Sequence, residues 1–270
     1  NNRKKIVIAT KIAGPGLKWI RNGGEQFSPK NIEEALNNSL KRLQTDYIDL
    51  YQLHWPERKT NFFGRLNYEH VKSEKKWNSF ESILEILKKF IKKGKIRYIG
   101  LSNETPWGIT KFLNTSKEKK LPRVMTVQNG YNLINRIFDI ANSEVSIREN
   151  CGLLAYSPLA GGRLSGKYLD SKIPSNSRYT LWPTRFSRHH TERGEAAIEK
   201  YVRLAKKYNV LPSVLANAFV INRPFVTSSI IGVTSLEQLK ENINSINIKL
   251  HKEILNEIEE IHLSDPNPCI

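Results

Sequence analysis

The sequence predicts an α/β protein assembled from repeating β/α units, and three observations carry that prediction. Short apolar runs alternate six times with segments of helical period. Each run ends in polar residues rather than in a hairpin turn. The runs are separated by helical patterns long enough that successive strands lie parallel. Polar strand ends gathered on one rim are what a (β/α)8 barrel provides, because its active site is built from the loops above the strands. An open doubly wound sheet would need GxGxxG after a strand, and Gly161-Gly162-Arg163-Leu164-Ser165-Gly166 has the wrong spacing.

In order, residues 6–11 (Ile-Val-Ile-Ala-Thr-Lys) are predicted as a buried strand, apolar on both faces and closed by Lys11. After a glycine-rich loop, Ser28 and Pro29 open a helix as N-cap and first helical residue, with Ile32, Ala35, Leu36, Leu40 and Leu43 at helical spacing. The strand in 47–56 alternates through Ile48, Leu50 and Leu53 and delivers His54 and Trp55 at its end, where Pro56 has no N–H for the ladder. Residues 57–78 are polar, aromatic and aperiodic, and read as a functional loop or lid. A helix follows through Ile83, Leu84, Leu87, Phe90 and Ile91, with Gly94 as its C-cap. Next come a strand over 95–103, a short helix near 107–113, a strand over 124–129, a helix around 141–149 and a strand over 152–158. Residues 159–193 form a second long loop. Helices over 195–208 and 212–221, a strand over 227–233 and helices over 235–246 and 250–262 complete the chain.

The 270 residues suit a single barrel domain spanning 1–270. No apolar run approaches the roughly 18 residues of a membrane span, and the first residues lack a signal peptide's apolar core, so a cytoplasmic protein without membrane insertion is expected. Cys151 and Cys269 are too few for a disulfide framework and have no CxxC spacing, so no metal site is expected. The net charge of +17, from 43 basic against 26 acidic residues, invites a nucleic-acid partner. The lysines, however, are spread over helix faces, as in 87–93, which predicts no specific nucleic-acid site.

Several segments together resemble the aldo-keto reductase superfamily, nearly end to end. They are Ile8-Ala9-Thr10-Lys11, residues 39–43 followed by 46–54, Gly94 through Asn103, Ala155-Tyr156-Ser157-Pro158-Leu159-Ala160-Gly161-Gly162, Ser165-Gly166-Lys167-Tyr168, and Ile230-Ile231-Gly232 followed by 237–242. The branch resembled holds bacterial Tas-type reductases and potassium-channel β subunits. The resemblance implies a barrel of aldo-keto reductase type and reduction of a small aldehyde or ketone by hydride from NADPH, with an Asp, Tyr, Lys and His tetrad.

By that resemblance Lys11 takes the lysine role and His54 the histidine role; a lysine ending an apolar strand also needs a partner on physical grounds. Ser102, Asn103 and Gln128 would hold the nicotinamide carboxamide and Tyr156 would stack on its ring. Ser157, Leu159, Gly161, Lys167 and Arg178 would surround the pyrophosphate. Gly232, Thr234, Gln238, Glu241 and Asn242 would take the 2′-phosphate and adenine; no acidic residue lies in 232–235, which favours NADP over NAD. The family's Asp and Tyr belong to its first two βα units, for which no matching segment occurs, so strands 3 to 8 are expected here and upstream residues are expected to be missing. Trp55, Tyr68 and Trp182 are candidates for an aromatic substrate pocket. A homo-oligomer is left open. The alternative is a catalytically weak or inactive NADPH-binding regulatory subunit resembling the channel β subunits.

Overall fold

The computed structural model describes residues 2–72, 74, 77–183 and 187–270; the remaining residues of the two long loops, Ser73, Lys75, Lys76 and 184–186, lie outside the described residues. The chain divides into two compact units, Asn1–Gln128 with Arg148–Gly152, and Asn129–Ile147 with Leu153–Ile270.

The first unit runs β1 (Ala9–Ile12), α1 (Pro29–Leu43), β2 (Ile48–Leu53), α2 (Phe80–Lys92), β3 (Ile96–Ser102), α3 (Pro106–Lys119) and β4 (Val124–Gln128). Its strands pair in parallel in sequence order, with Lys11 beside Gln52, Leu53 beside Leu101 and Ser102 beside Gln128. This register brings the carboxyl ends of all of them to one edge, the geometry from which (β/α)8 barrels build their sites. The helices start where the sequence says they should. Ser28, Ser79 and Thr105 accept the backbone N–H groups of Asn31, Ser82 and Gly108, and Pro29 and Pro106 occupy first-turn positions where no N–H is required. Ile32, Leu36, Ile48, Leu84, Leu87, Ile96 and Ile99 are fully buried between helices and sheet.

The second unit contains most of α4 (Asn142–Arg148), then β5 (Gly152–Tyr156), a short α5 (Arg178–Leu181), α6 (Glu192–Lys207), α7 (Pro212–Ile221), β6 (Val226–Ile230), α8 (Leu236–Asn244) and α9 (Lys252–Ser264). β5 and β6 pair in parallel, Tyr156 beside Ile230. Helix α7 is apolar apart from Ser213 and Asn217 and is buried almost throughout, and Phe219 from it stacks on Tyr131 at 5.9 Å.

Three local expectations are corrected. β1 begins at Ala9, and Ile6 and Val7 are 52% and 77% exposed rather than buried. The cause is Asp49: its carboxylate accepts the Ile8 N–H at 2.9 Å and pairs with Arg3 at 2.7 Å and Arg97 at 2.9 Å. β2 does not alternate; all of Ile48–Leu53 is buried, as for a strand covered on both faces. Helix α3 extends to Lys119, where the left-handed Lys120 ends it, well past the short helix expected at 107–113.

Tyr47 adds to the Asp49 cluster, since the Arg3 and Arg97 guanidiniums lie over its ring at 3.8 and 4.2 Å. Burial alone would raise the Asp49 pKa; the Ile8 N–H and the two guanidiniums outweigh it and hold the carboxyl below its ordinary value. A depressed carboxyl pKa contributes stability that is present above the ordinary carboxylate range and is lost as pH falls through the folded-state value. Asp49→Ala should therefore cost about 3 kcal/mol in urea unfolding at pH 7. The gap between variant and wild type should narrow below about pH 4; a constant gap would show that the charge is not what Asp49 contributes.

Candidate functional site

At the carboxyl edge of the first unit, Lys11 sits in β1 and His54 follows β2, held by donation of its backbone N–H to the Ile12 carbonyl at 2.9 Å. Both side chains are half-buried. Burial alone pulls Lys11 below the ordinary lysine value. His54 is lowered to about 4, by burial first and then by the Lys11 charge. At pH 7 the imidazole is therefore neutral and lies within reach of a cation's field. Trp55 flanks it at 4.7 Å between ring centroids and donates its indole N–H to the Pro15 carbonyl at 3.0 Å. The indole lies against Gly14, where any Cβ would collide with it.

Asn103 organises the adjoining strand ends. It adopts a left-handed conformation with φ of 51°. Its backbone N–H goes to the Gln128 carbonyl at 3.0 Å and its side-chain amide to the His54 carbonyl at 2.9 Å. Ser102 donates its hydroxyl to the same Gln128 carbonyl at 2.8 Å. Lys11, His54, Ser102, Asn103 and Gln128 thus form one group, bound by main-chain and amide contacts across β1 to β4.

The other predicted residues line a single cleft of about 890 Å³ in the second unit. From the end of β5 come Tyr156, Ser157, Leu159, Gly161 and Lys167, and from the loop beyond come Arg178 and Trp182. From the segment after β6 and from α8 come Gly232, Thr234, Gln238, Glu241 and Asn242. The wall is shaped by backbone: Gly161 and Gly162 have φ of 70° and 97°, left-handed values that favour glycine. A Cβ at Gly162 would touch the Lys167 side chain at 3.4 Å, and one at Gly161 would press on the Tyr179 hydroxyl at 3.2 Å. Ser235 caps α8 by accepting the Gln238 N–H at 3.3 Å, and Gln238 reaches back to accept the Thr234 N–H at 3.0 Å, so the positive end of that helix is ordered at the cleft wall. Glu241 and Asn242 are fixed by Ser213 at 3.0 Å and Asn217 at 2.5 Å. Two cationic side chains, a glycine wall of left-handed backbone and a helix N-terminus suit an elongated ligand carrying phosphate groups.

Of the aromatic candidates, Trp182 lines this cleft, Trp55 packs beside His54, and Tyr68 lines a small hollow formed by residues 59–69. Several residues at the two sites were not read from the sequence. Glu57 accepts the backbone N–H groups of Gln26, Phe27 and Asn78 and the Asn78 side-chain amide. Arg58 pairs with Glu104 in a buried contact. In the second unit His189, next to Gly161, is pushed down to about 3 by burial and then by Arg188, Arg163 and Arg178. Glu104 followed by Thr105 and Pro106 has the form of a helix start; nothing else marked these residues among many charges.

Comparison with known proteins gives the family. Residues 1–263 match the aldo/keto reductase family, and the chain belongs to it. The class so defined is an oxidoreductase. "Protein tas" of Escherichia coli K12 is 44% identical over 267 residues, covering 97% of this chain and 75% of that protein. An "Aldo-keto reductase" of Babesia bovis is 39% identical over 254 residues, 89% of each chain. A "Putative voltage-gated potassium channel subunit beta" of Schizosaccharomyces pombe is 29% identical over 268 residues, 96% of this chain and 72% of its own. Among the described residues no helix is long and apolar enough to cross a membrane.

The electrostatics of the first-unit group can be read by NMR. The His54 ring should titrate near pH 4, against about 6.5 for an unperturbed histidine. Lys11→Met should move it upward by removing the neighbouring charge, and a titration unmoved by that change would separate the two residues.

Proposed function

We propose that this protein reduces an aldehyde or ketone with NADPH. The observation that carries the reading is the second-unit cleft, where residues chosen by family motif alone share one wall-to-wall cavity with Lys167 and Arg178. The absence of a carboxylate in 232–235 at the approach to α8 supports a 2′-phosphate over a bare ribose hydroxyl.

NADPH, when bound, supplies the hydride. Lys167 and Arg178 would hold its phosphate oxygens by charge-assisted hydrogen bonds beside the left-handed Gly161–Gly162 backbone. By family resemblance, Tyr156 would stack on the nicotinamide ring, and Ser102, Asn103 and Gln128 would hold its carboxamide. Neutral His54 donates an N–H to the substrate carbonyl oxygen, which a histidinium shared with a nearby lysine could do only at the cost of two adjacent cations. By family resemblance a Tyr delivers the proton to that oxygen, and Lys11, with a paired Asp, would tune the pKa of that Tyr. This sequence has no segment matching the motif that carries the Asp and the Tyr.

NADPH should quench the protein's tryptophan fluorescence at micromolar concentration, with NADH at least about tenfold weaker. Aromatic aldehydes should be turned over. Lys11→Met should lower kcat by about 100-fold or more while leaving NADPH affinity within about threefold. Failure of the wild-type protein both to bind NADPH and to reduce any aldehyde of the panel would sink the reading.

A further inference from the structure

Arg58 and Glu104 form a guanidinium–carboxylate fork inside the first unit, with side chains only 8% and 4% exposed. Arg58 Nη1 donates to Glu104 Oε2 at 3.0 Å and Nη2 contacts Oε1. Nη2 also donates to the Thr105 hydroxyl at 3.0 Å, and the Thr105 backbone N–H donates to Glu104 Oε1 at 2.7 Å. The guanidinium lies 4.9 Å from the Trp107 ring, and Gly108 leaves the space that fork occupies, since a Cβ there would run into both partners. A buried ion pair is weak evidence for stability, because desolvation offsets most of its attraction; the best-attested use of such a pair is to fix registry.

Its location gives that geometry a use. Arg58 lies four residues beyond His54, and Glu104 follows Asn103 directly. The segments leaving β2 and β3 are therefore fastened twice, by the Asn103 amide on the His54 carbonyl at 2.9 Å and by the fork beyond it. We propose that the Arg58–Glu104 pair is a positioning device that sets the distance between the His54 imidazole and the Ser102–Asn103 strand end, and so between the bound carbonyl and the nicotinamide. The proposal rests on the reductase reading for its consequence. The fastening itself concerns only this chain's own residues.

The test replaces the pair by apolar residues of similar bulk, Arg58→Met with Glu104→Leu, since such a swap tends to preserve or raise stability where single removals strand a buried charge. The double variant should keep the wild-type circular dichroism and melt no earlier. Its single-turnover hydride transfer from NADPH should fall by about 100-fold, with a deuterium isotope effect that becomes temperature-dependent, and Arg58→Lys should recover part of the loss. The His54 imidazole, which faces Lys11, should titrate at higher pH in the double variant as water reaches the loosened segment. A folded double variant with wild-type transfer rate and unchanged His54 titration would overturn the positioning role. If wild-type protein neither binds nor oxidises NADPH, the reductase reading falls, and the His54 titration alone decides the fastening: a shift upholds it, no shift refutes it. Should the double variant fail to fold, Glu104→Gln, which keeps the shape and removes the charge, is read by the same titration with the same two outcomes.

Discussion

The first unit depends on how parallel strands are finished. A parallel ladder leaves its last carbonyls at the edge with no partner from the next strand, and a buried polar group without a partner is costly. Asn103 resolves this for three strands at once. Its left-handed turn aims a backbone N–H at the carbonyl ending β4 and a side-chain amide at the carbonyl after β2. An asparagine tolerates that conformation and carries the amide the geometry uses, a combination that glycine lacks. Lys11 and His54 owe their neighbourhood to the same finishing, since the His54 N–H closes onto β1 at Ile12.

Buried carboxylates matched to arginines mark the two ends of this sheet. Asp49, with Arg3 and Arg97, stops the ladder before β1 and β2 can extend toward Ile6; Glu104, with Arg58, sits beyond their carboxyl ends. Between them lie hydrophobic residues that tolerate exchange of similar volumes. The fork and the Asp49 cluster are directional, so they set registry where packing alone would not. His54 and Lys11 are different in kind: burial strips them of water without giving them a carboxylate among the described residues, which is the usual condition of groups held ready for a ligand.

Most of the element order was legible because helical and strand periods are set by the same burial that folds them, and Ser28-Pro29 and Thr105-Pro106 mark helix starts by local chemistry alone. The errors have particular causes. Ile6 and Val7 look like strand residues, but a tertiary contact from Asp49, 41 residues from Ile8, takes the N–H that would have continued the ladder. Asp49 and Gln52 gave β2 an alternating look, although the strand is covered on both faces and buries both, Asp49 against its arginines and Gln52 with its amide N–H on the Leu101 carbonyl. At the site, residues delivered by strand ends were readable from their position. Glu57, Arg58, Glu104 and His189 were not, because a charge that will be buried and one that will be solvated look alike in a chain of net charge +17.

The close contact of Trp55 with Gly14 also bears on how this sequence can drift. The indole occupies the volume any side chain at position 14 would need, so the glycine is held in place by its neighbour and not by its own backbone, whose φ lies outside the left-handed region. A side chain at position 14 therefore needs a smaller residue at 55 to make room for it. Because Trp55 adjoins His54, such a paired change alters the surroundings of the imidazole while leaving His54 itself in place.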